Sequence, residues 1–413
     1  MDKTILHCDL NSFFASVECL MNPELRSIPI AVCGNVAERH GIVLAKNDIA
    51  KKMGIITGEA VIHAQWKCKN LVIVPPNYEA YVRYSNIVKE IYYKYTDLVE
   101  PFGIDECWLD VTGSEKLFGT GYTIARKISD EVKNTTGLTI SVGVSYNKTF
   151  AKLGSDMKKP DAITCIDKAT FKDKIWGLPA NAMMGVGAKT AIFLHKKFIR
   201  TIGDIAKCNP ENLKRWFGKD GNIMWIYANG LDPAPVMSYD YSPPLKSIGH
   251  GTTTTADLKN NSEVFDIFVE LSQIIGQKLK AVNLMAKGVA IAIRDNKLSE
   301  KIIQCQIPYA TQSAMVLVKY AKELFLKKYI WYNNIRSVTV RAINLINPNT
   351  PEQLNLLVDY EMQMKYEDVD VAANEIRAKY GNYCINPANH YKKDLKIVSE
   401  KSANETPMTM YMI

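Results

Sequence analysis

Four prolines within the short segment 232–244 divide this chain of 413 residues into two parts. Proline has no backbone N–H to donate and fixes the φ angle, so such a segment forms neither a helix interior nor a central strand. We therefore predict that residues 232–244 are a stiff linker between separately folded regions. The length agrees with this division, because domains contain about 150 residues on average.

The region before the linker alternates between strand and helix patterns up to about residue 166. Short apolar runs such as Thr4–Asp9 and Leu138–Val144 favour buried strands, whereas Tyr78–Tyr95 and Gly121–Thr135 have the spacing of helices. This alternation is typical of a mixed α/β domain. Short segments separated by glycines follow over 167–231 and predict a small helical unit.

The region after the linker, 245–346, has the order β-α-β-β-α-β, which predicts a small α+β sandwich with a four-stranded sheet. It contains 14 lysines and arginines against 7 aspartates and glutamates, so it carries nearly all of the chain's net charge of +8. Such a surface suits sequence-independent binding of phosphates, with Arg336 and Arg341 on one predicted strand as candidates. A merely soluble basic surface is the alternative. Residues 347–413 are more polar and predict a tail with one helix, Asp368–Tyr380.

Composition argues against several other classes of protein. No apolar run reaches the ~18 residues that a membrane span requires, and no secretory leader is evident, so a cytoplasmic protein is expected. The nine cysteines include no C-x-x-C pair, which argues against a zinc cluster and against a disulfide framework.

Three carboxylates stand out because of their positions. Asp9 ends a predicted buried strand, and Asp105 and Glu106 lie at a turn between two apolar strands. Burial of a carboxylate is costly unless a cation offsets its charge, and three that converge would form an oxygen-rich site suited to Mg²⁺. Adjacent strand residues face opposite ways, so both acids reach one site only at an irregular turn, which Gly103 favours. The alternative is a solvated hairpin tip and a helix cap, and spacing alone leaves both interpretations open.

Three motifs surround these carboxylates: His7–Glu18, Gly103–Asp110, and Ser141–Lys152 with its continuation to Pro160. Together they closely resemble the motifs of the Y-family, or translesion, DNA polymerases, whose second motif is usually written S-I-D-E-A-Y-L-D. The order and spacing of the three agree with that family, and the resemblance covers most of the chain.

The resemblance implies a right-hand polymerase, an α/β multidomain fold with a mixed α/β palm and fingers, a helical thumb and an α+β little finger. The domains would follow as palm (1–10 and 75–166), fingers (11–74), thumb (167–231), linker (232–244), little finger (245–346) and tail (347–413). By position, Asp9, Asp105 and Glu106 would be the ligands of two Mg²⁺ ions, with help from the carbonyl of Leu10. Two such ions activate an attacking hydroxyl and neutralise the leaving phosphates.

The resemblance also implies contacts with the incoming nucleotide. Phe14 falls at the position of a bulky residue that excludes a ribose 2′-hydroxyl, and Phe13 beside it is either a second contact or an ordinary core residue. Lys159 matches a lysine that contacts the triphosphate, although without the motif it would be a solvated lysine. In the fingers, many members have a tyrosine and, three residues later, an arginine. Here those residues are Asp48, which should repel a triphosphate, and Lys51, a cation without bidentate geometry.

Two further segments point to DNA and to a protein partner. Gly185 and Gly187, followed by Lys189, resemble a helix-hairpin-helix that offers backbone N–H groups to a phosphate, although glycine between helices is otherwise an ordinary turn. The peptide Gln353–Leu357 resembles the one by which bacterial polymerases dock on the sliding clamp. Its expected contacts are Gln353, Leu354, Leu356 and Leu357. The alternative is a tail helix that packs on its own domain.

These observations predict a bacterial-type Y-family DNA polymerase that acts in DNA damage tolerance and repair. It would transfer deoxynucleoside monophosphates from dNTPs to the 3′ end of a primer-template and release pyrophosphate. A cytoplasmic monomer that docks on the sliding clamp is expected. One rival is a non-catalytic DNA-binding derivative of the family, supported only by Asp48. Another is a different two-metal palm enzyme such as a nucleotidyl cyclase, in which the thumb-like unit and the basic domain would have no role.

Overall fold

The computed structural model describes residues 3–35, 39, 41–351, 360–381 and 384–385. These residues form two compact units. The first contains the described residues up to Gly34 together with Ile42–Ser242. The second contains the described residues from Pro243 onward, together with those of the segment Asn35–Gly41. The boundary after Ser242 lies within the proline-rich segment.

Strands and helices alternate through most of the first unit, which ends in a series of short helices. In chain order, the strands of the described residues are β1 (Ile5–Leu10), β2 (Ile30–Cys33), β3 (Val43–Lys46), β4 (Val72–Val74), β5 (Val99–Pro101), β6 (Glu106–Asp110), β7 (Ile140–Ser145), β8 (Ile163–Ile166), β9 (Ser247–Leu258), β10 (Met285–Asp295), β11 (Glu300–Thr311) and β12 (Ile335–Ile346). The α-helices are α1 (Phe13–Met21), α2 (Asp48–Lys52), α3 (Val61–Lys67), α4 (Tyr78–Tyr93), α5 (Glu115–Phe118), α6 (Gly121–Thr136), α7 (Lys148–Met157), α8 (Phe171–Ile175), α9 (Ala188–Lys196), α10 (Ile202–Lys207), α11 (Pro210–Phe217), α12 (Lys219–Ala228), α13 (Asn261–Ala281), α14 (Ala314–Lys328) and α15 (Tyr360–Tyr380).

The first sheet of the first unit has the strand order β5-β6-β1-β7-β8, with β1 in the centre. β1 is antiparallel to both of its neighbours, and β7 is parallel to β8. Residues of α4 and α6 such as Tyr81 and Ile128 bury one face of this sheet. On the other face α7 packs against β1 and β7. The mixed α/β domain predicted for this region is present.

A smaller sheet, with the order β3-β2-β4, follows α1 in the chain. Helices α2 and α3 bury one of its faces through Ala50 and Ala64, and α1 buries the other through Ala15 and Cys19. The sequence did not predict α3 or β8. Both are short, and α3 has no side-chain bond at its N-cap and buries only Val61 and Ala64, so its pattern was too weak to detect.

Short helices α8–α12 complete the first unit around an apolar core that includes Leu194, Ile205 and Leu213. Helices α11 and α12 cross at Gly221, where a Cβ atom would lie 2.0 Å from the carbonyl oxygen of Leu213. Close backbone approach of this kind requires glycine. The proline-rich segment then returns to the first sheet, where Val236 is buried next to Trp108.

The second unit contains a sheet with the order β11-β10-β12-β9, in which all neighbours are antiparallel. Helices α13 and α14 pack together and bury one face of this sheet, with Phe268 and Phe325 in the core. The predicted order β-α-β-β-α-β and the predicted four-stranded sheet are therefore both present.

The tail helix differs from its prediction. It begins at Tyr360 rather than at Asp368, and it packs on the second unit. Ser313 donates a hydrogen bond of 2.5 Å to Asp370, and Arg377 donates one of 2.9 Å to Gln273. The predicted start was wrong because the apolar residues at 360, 362, 364 and 366 alternate along the chain and lack helical spacing. Two of them, Tyr360 and Tyr366, pack against the core of the second unit.

Candidate active site

Asp9 and Glu106 face each other within the first sheet. The backbone register pairs Asp9 of β1 directly with Glu106 of β6. Residues opposite each other on antiparallel strands share a face of the sheet. Leu6 and Cys8 of β1 point into the core beneath α4 and α6, so Asp9 points to the face that α7 covers.

Asp105 reaches the same place from the turn that precedes β6. Gly103 in this turn has a φ angle of 90°, and β6 begins only at Glu106. The carbonyl oxygen of Asp105 accepts a hydrogen bond of 3.0 Å from the backbone N–H of Leu10, which ties the turn to the end of β1. The structure therefore brings Asp9, Leu10, Asp105 and Glu106 together, at an irregular turn of the kind that the sequence predicted.

Two lysines bind these carboxylates. The Nζ atom of Lys159 lies 2.7 Å from Oδ2 of Asp9 and 2.9 Å from Oδ1 of Asp156. The Nζ atom of Lys152, on α7, lies 2.5 Å from Oε2 of Glu106. Among the described residues, no group of three acidic, histidine or cysteine side chains is arranged as a set of metal ligands. Asp9 and Glu106 form ion pairs with the two lysines instead.

His7 supports Glu106 from within the sheet. Its Nε2 atom lies 3.1 Å from Oε2 of Glu106, and its Nδ1 atom lies 2.8 Å from the hydroxyl of Ser155. Burial lowers the pKa of His7. Sequence reasoning missed both His7 and Lys152. The signal for His7 was its place two residues before Asp9, because alternate residues of a strand share a face.

The pKa values of the three carboxylates differ because their surroundings differ. Burial raises the pKa of Asp9 to about 6, against the opposing effect of Lys159. Burial and the charge of Glu106 raise the pKa of Asp105 to about 6. Burial also acts to raise the pKa of Glu106, but its hydrogen bonds with His7 and Lys152 outweigh that effect and lower the pKa to about 2. Crowded carboxylate oxygens of this kind fit a hard divalent cation, which would favour their ionised forms.

The two phenylalanines at the start of α1 have different surroundings. Phe13 is only 3% exposed and belongs to the core beneath the first sheet, as the packing interpretation expects. Phe14 is partly exposed, and its ring stacks on Tyr81 with a centroid separation of 4.2 Å and an interplanar angle of 8°. Tyr81 is fixed in turn by a hydrogen bond of 2.5 Å to the buried Glu18. Phe14 is therefore held rigidly, with part of its ring at the surface.

The two residues that differ from the tyrosine and arginine of many family members lie on α2. Asp48 is its first residue and Lys51 is near its end, and both are exposed. Neither of them forms an ion pair with another described residue. The side chain of Asn47, which precedes the helix, caps it by accepting a hydrogen bond from the N–H of Ala50.

The predicted DNA contacts are spread over both units. Gly185 has a φ angle of 85° and precedes α9, and a Cβ atom at Gly185 or Gly187 would meet nothing within 4 Å. Lys189 is exposed in the first turn of α9. In β12, Arg341 is exposed, and it pairs with Gly249 of β9, over which its side chain lies.

Arg336 is partly buried, and it lies where the register of β12 shifts between Ile335 and Ser337. The side chains of β12 therefore do not alternate regularly between the two faces of the sheet from Arg336 to Arg341. The predicted clamp-binding residues, Gln353, Leu354, Leu356 and Leu357, lie outside the described residues.

Comparisons with known proteins agree with this architecture. Residues 8–156 match the model of the impB/mucB/samB family, and residues 245–356 match the model of that family's C-terminal domain. A DNA polymerase IV of Acetivibrio thermocellus is 46% identical and covers 93% of this chain and 96% of its own length. A DNA polymerase IV of Moorella thermoacetica is 34% identical over 94% of this chain and 96% of its own length.

A solved Y-family DNA polymerase chimera superimposes with a TM-score of 0.74 at 25% sequence identity, over 83% of this chain and 99% of its own length. The chain belongs to the impB/mucB/samB family and is a Y-family, translesion DNA polymerase with the right-hand fold. The similarity extends over almost the whole chain, which excludes a nucleotidyl cyclase with a related palm. Among the described residues, no helix is long and apolar enough to cross a membrane.

Proposed function

We propose that this polymerase transfers deoxynucleoside monophosphates by means of two Mg²⁺ ions held by Asp9, Asp105, Glu106 and the carbonyl of Leu10. Y-family DNA polymerases generally use divalent metal ions. The observation that best supports the proposal is the register pair of Asp9 and Glu106, to which the turn of Asp105 is joined by a backbone hydrogen bond. When bound, such ions lower the pKa of the primer 3′-hydroxyl and neutralise charge on the leaving pyrophosphate.

The protein's own residues prepare this chemistry. Lys152 and His7 orient Glu106 and keep it ionised. Lys159, which binds Asp9 and Asp156 in the structure, would bind the triphosphate of the incoming nucleotide through its ammonium group. The exposed part of Phe14 lies against the sugar and excludes a 2′-hydroxyl. Phe13 supports Phe14 from the core, with ring centroids 5.7 Å apart.

Primer extension tests the metal site. We expect the native protein to extend a primed template with dNTPs and Mg²⁺, and the double variant Asp105→Ala/Glu106→Ala to lose extension by a factor of about 1,000 or more. The chain offers a matched control in Asp130 and Glu131, another adjacent pair of acids on α6. Asp130→Ala/Glu131→Ala makes the same change of charge and should retain extension. Equal activity of the two double variants would overturn the assignment of the site.

We further propose that the thumb and the little finger hold the DNA by its backbone. The domain bounds suggested by the resemblance support this proposal. In the thumb, the space around Gly185 and Gly187 is open to a phosphate and Lys189 is exposed, and in the little finger Arg341 is exposed. Arg336 would contribute from the beginning of the same strand. Contacts of this type read phosphates rather than bases, so affinity should not depend on DNA sequence.

We also propose that the peptide Gln353–Leu357 docks on the replication sliding clamp. Its position supports this, because it follows β12 and precedes the docked helix α15 in the chain. The variant Leu356→Ala/Leu357→Ala should lose stimulation of extension by the clamp and keep extension in its absence. Stimulation that persists in this variant would refute the assignment. We expect the enzyme to be a cytoplasmic monomer, which sedimentation of the purified protein and fractionation of cells would test.

A further inference from the structure

The fingers present an electrostatic problem at the proposed nucleotide site. Where the resemblance implies a tyrosine, this chain has the exposed Asp48, whose charge opposes that of a triphosphate. Lys51 is the cation that remains at the matching position. A triphosphate carries several negative charges, so its binding in these fingers calls for a further cation. The backbone register of the small sheet suggests where that cation is.

Lys46 is the last residue of β3 and lies directly opposite Ala31 of β2. Paired residues share a face, and Ala31 packs with Ala50 and Ile55 on the face that α2 and α3 cover. Lys46 is therefore on the side of the sheet from which Lys51 projects. The preceding residue, Ala45, packs on the opposite face of the sheet in the cluster that also contains Phe14, so Lys46 follows directly on a residue packed in that cluster.

The Lys46 side chain is held in place but is not neutralised. It is partly buried, and its Nζ atom donates a hydrogen bond of 3.0 Å to the hydroxyl of Thr57. An ammonium group has three N–H donors, so this bond leaves two for a ligand. Within the described residues, neither Lys46 nor Lys51 has an ion pair.

The surroundings of Lys46 favour an anion. Burial and the nearby charge of Lys51 lower the pKa of Lys46. Glu59 is the acid that opposes this effect, but its carboxylate already accepts hydrogen bonds of 2.6 Å from Lys67 and 2.9 Å from the backbone N–H of Ile56. The charge of Lys51 therefore acts on Lys46, neither lysine has an ion pair among the described residues, and a bound anion would offset both charges.

We propose that Lys46 and Lys51 together bind the phosphates of the incoming nucleotide, and that Lys46 offsets the charge that Asp48 brings to the fingers. This inference rests on the proposed nucleotide site of the enzyme. Lys46 acts on binding and not on the chemistry of the palm, so its loss should weaken the affinity for dNTPs and pyrophosphate. The affinity for primer-template DNA should stay the same.

Single-nucleotide incorporation by Lys46→Gln tests the proposal. We expect KM for the dNTP to rise about 10- to 100-fold, the range for loss of one charge-assisted hydrogen bond, while kcat changes less than about threefold. Inhibition by inorganic pyrophosphate should weaken in parallel. Lys46→Arg should restore most of the affinity, because it keeps the charge. Lys52→Gln, a matched loss of charge at the exposed residue that follows Lys51 on α2, should leave KM near the native value.

The outcomes separate this inference from the proposed function. If the native enzyme extends a primer and Lys46→Gln has an unchanged KM for the dNTP, the role of Lys46 is overturned. The proposal for the metal site is not affected by that result. A thermally destabilised Lys46→Gln that loses kcat and DNA affinity together, without rescue by Lys46→Arg, would overturn it in favour of a structural role. If the native protein fails to extend a primer at all, the proposed function fails first.

Discussion

At the scale of single residues, two carboxylates of the candidate active site reduce the stability of the fold that holds them. Burial raises the pKa of both Asp9 and Asp105 to about 6, so at neutral pH each is ionised in a place that favours its neutral form. Lys159 compensates for part of this cost at Asp9, with an N–O distance of 2.7 Å. Residues of this kind are retained for function rather than for stability.

This cost predicts that Asp105→Asn stabilises the protein when Mg²⁺ is removed by a chelator. Asp105 binds its proton more tightly in the folded state than in the unfolded state, so native stability falls as the pH rises from about 4 to about 6 and then stays level. The neutral amide avoids that loss. We expect a gain of about 1–3 kcal/mol at pH 7.5 and almost none at pH 4, measured by chemical unfolding. A gain that is equal at both pH values would contradict this origin.

Phe14 gives a second prediction at this scale. Shortening its side chain in Phe14→Leu should open space for a 2′-hydroxyl and lower the preference for dNTPs over rNTPs. We expect the ratio of the two kcat/KM values to fall by about 10- to 100-fold. Phe13→Leu is the comparison, because Phe13 is buried in the core and acts on the sugar only by supporting Phe14, so it should reduce stability and lower the ratio less than Phe14→Leu does. An unchanged ratio in Phe14→Leu would remove the residue from the nucleotide site.

At the scale of elements, close contacts at glycines position the parts that we propose to meet the DNA. In the helical unit, α11 and α12 approach at Gly221 and Leu213 more closely than any side chain allows. In the second unit, Gly249 and Gly251 of β9 make room for Arg341 and for Thr339 on the neighbouring strand. These glycines are required by contacts between elements and not by turns.

The helix crossing predicts the effect of Gly221→Ala. The added methyl would lie 2.0 Å from the carbonyl oxygen of Leu213, a backbone atom that moves only if the two helices separate. We expect a loss of about 1–3 kcal/mol in the free energy of unfolding, with a lowered Tm in thermal denaturation. Gly177→Ala is the matched control, because a Cβ atom there meets nothing within 4 Å. Equal stability of the two variants would show that α11 and α12 adapt.

At the scale of the whole molecule, the charge is distributed unevenly. Residues 245–346 contain 14 of the 51 lysines and arginines but only 7 of the 43 acids. The helices α13 and α14 bury one face of the sheet, and the exposed Arg341 projects from the opposite face. A basic face of this kind adds affinity for DNA without sequence preference and makes binding sensitive to salt.

Arg341→Ala should therefore weaken the binding of primer-template DNA uniformly across sequences. If Arg341 neutralises one phosphate, the slope of log affinity against log salt should become shallower by about one. Lys327→Ala removes a charge from α14, on the helical side of the same domain, and should leave the slope unchanged. A slope that is the same in both variants would place the DNA elsewhere on the domain. Fluorescence anisotropy at several salt concentrations gives both slopes.

Local patterns in the sequence were sufficient for the main elements and for the identity of the acids. Apolar runs predicted β1 and β7, the amphipathic spacing predicted α4 and α6, and the motifs singled out Asp9, Asp105 and Glu106. These features depend on residues that are near each other in the chain. Weak local signals failed at α3, which buries only Val61 and Ala64, and at the beginning of α15, where the apolar residues alternate and lack helical spacing.

Only the tertiary structure decided how distant residues meet. The pairing of Asp9 with Glu106, the bond between Lys152 and Glu106 and the place of Lys46 opposite Ala31 all follow from the register between strands and from helices packed on their faces. The sequence by itself determined which residues carry the charge and where the chain turns. It could not determine which of those charges oppose or support one another, because electrostatic energy depends on distance and burial in the folded chain.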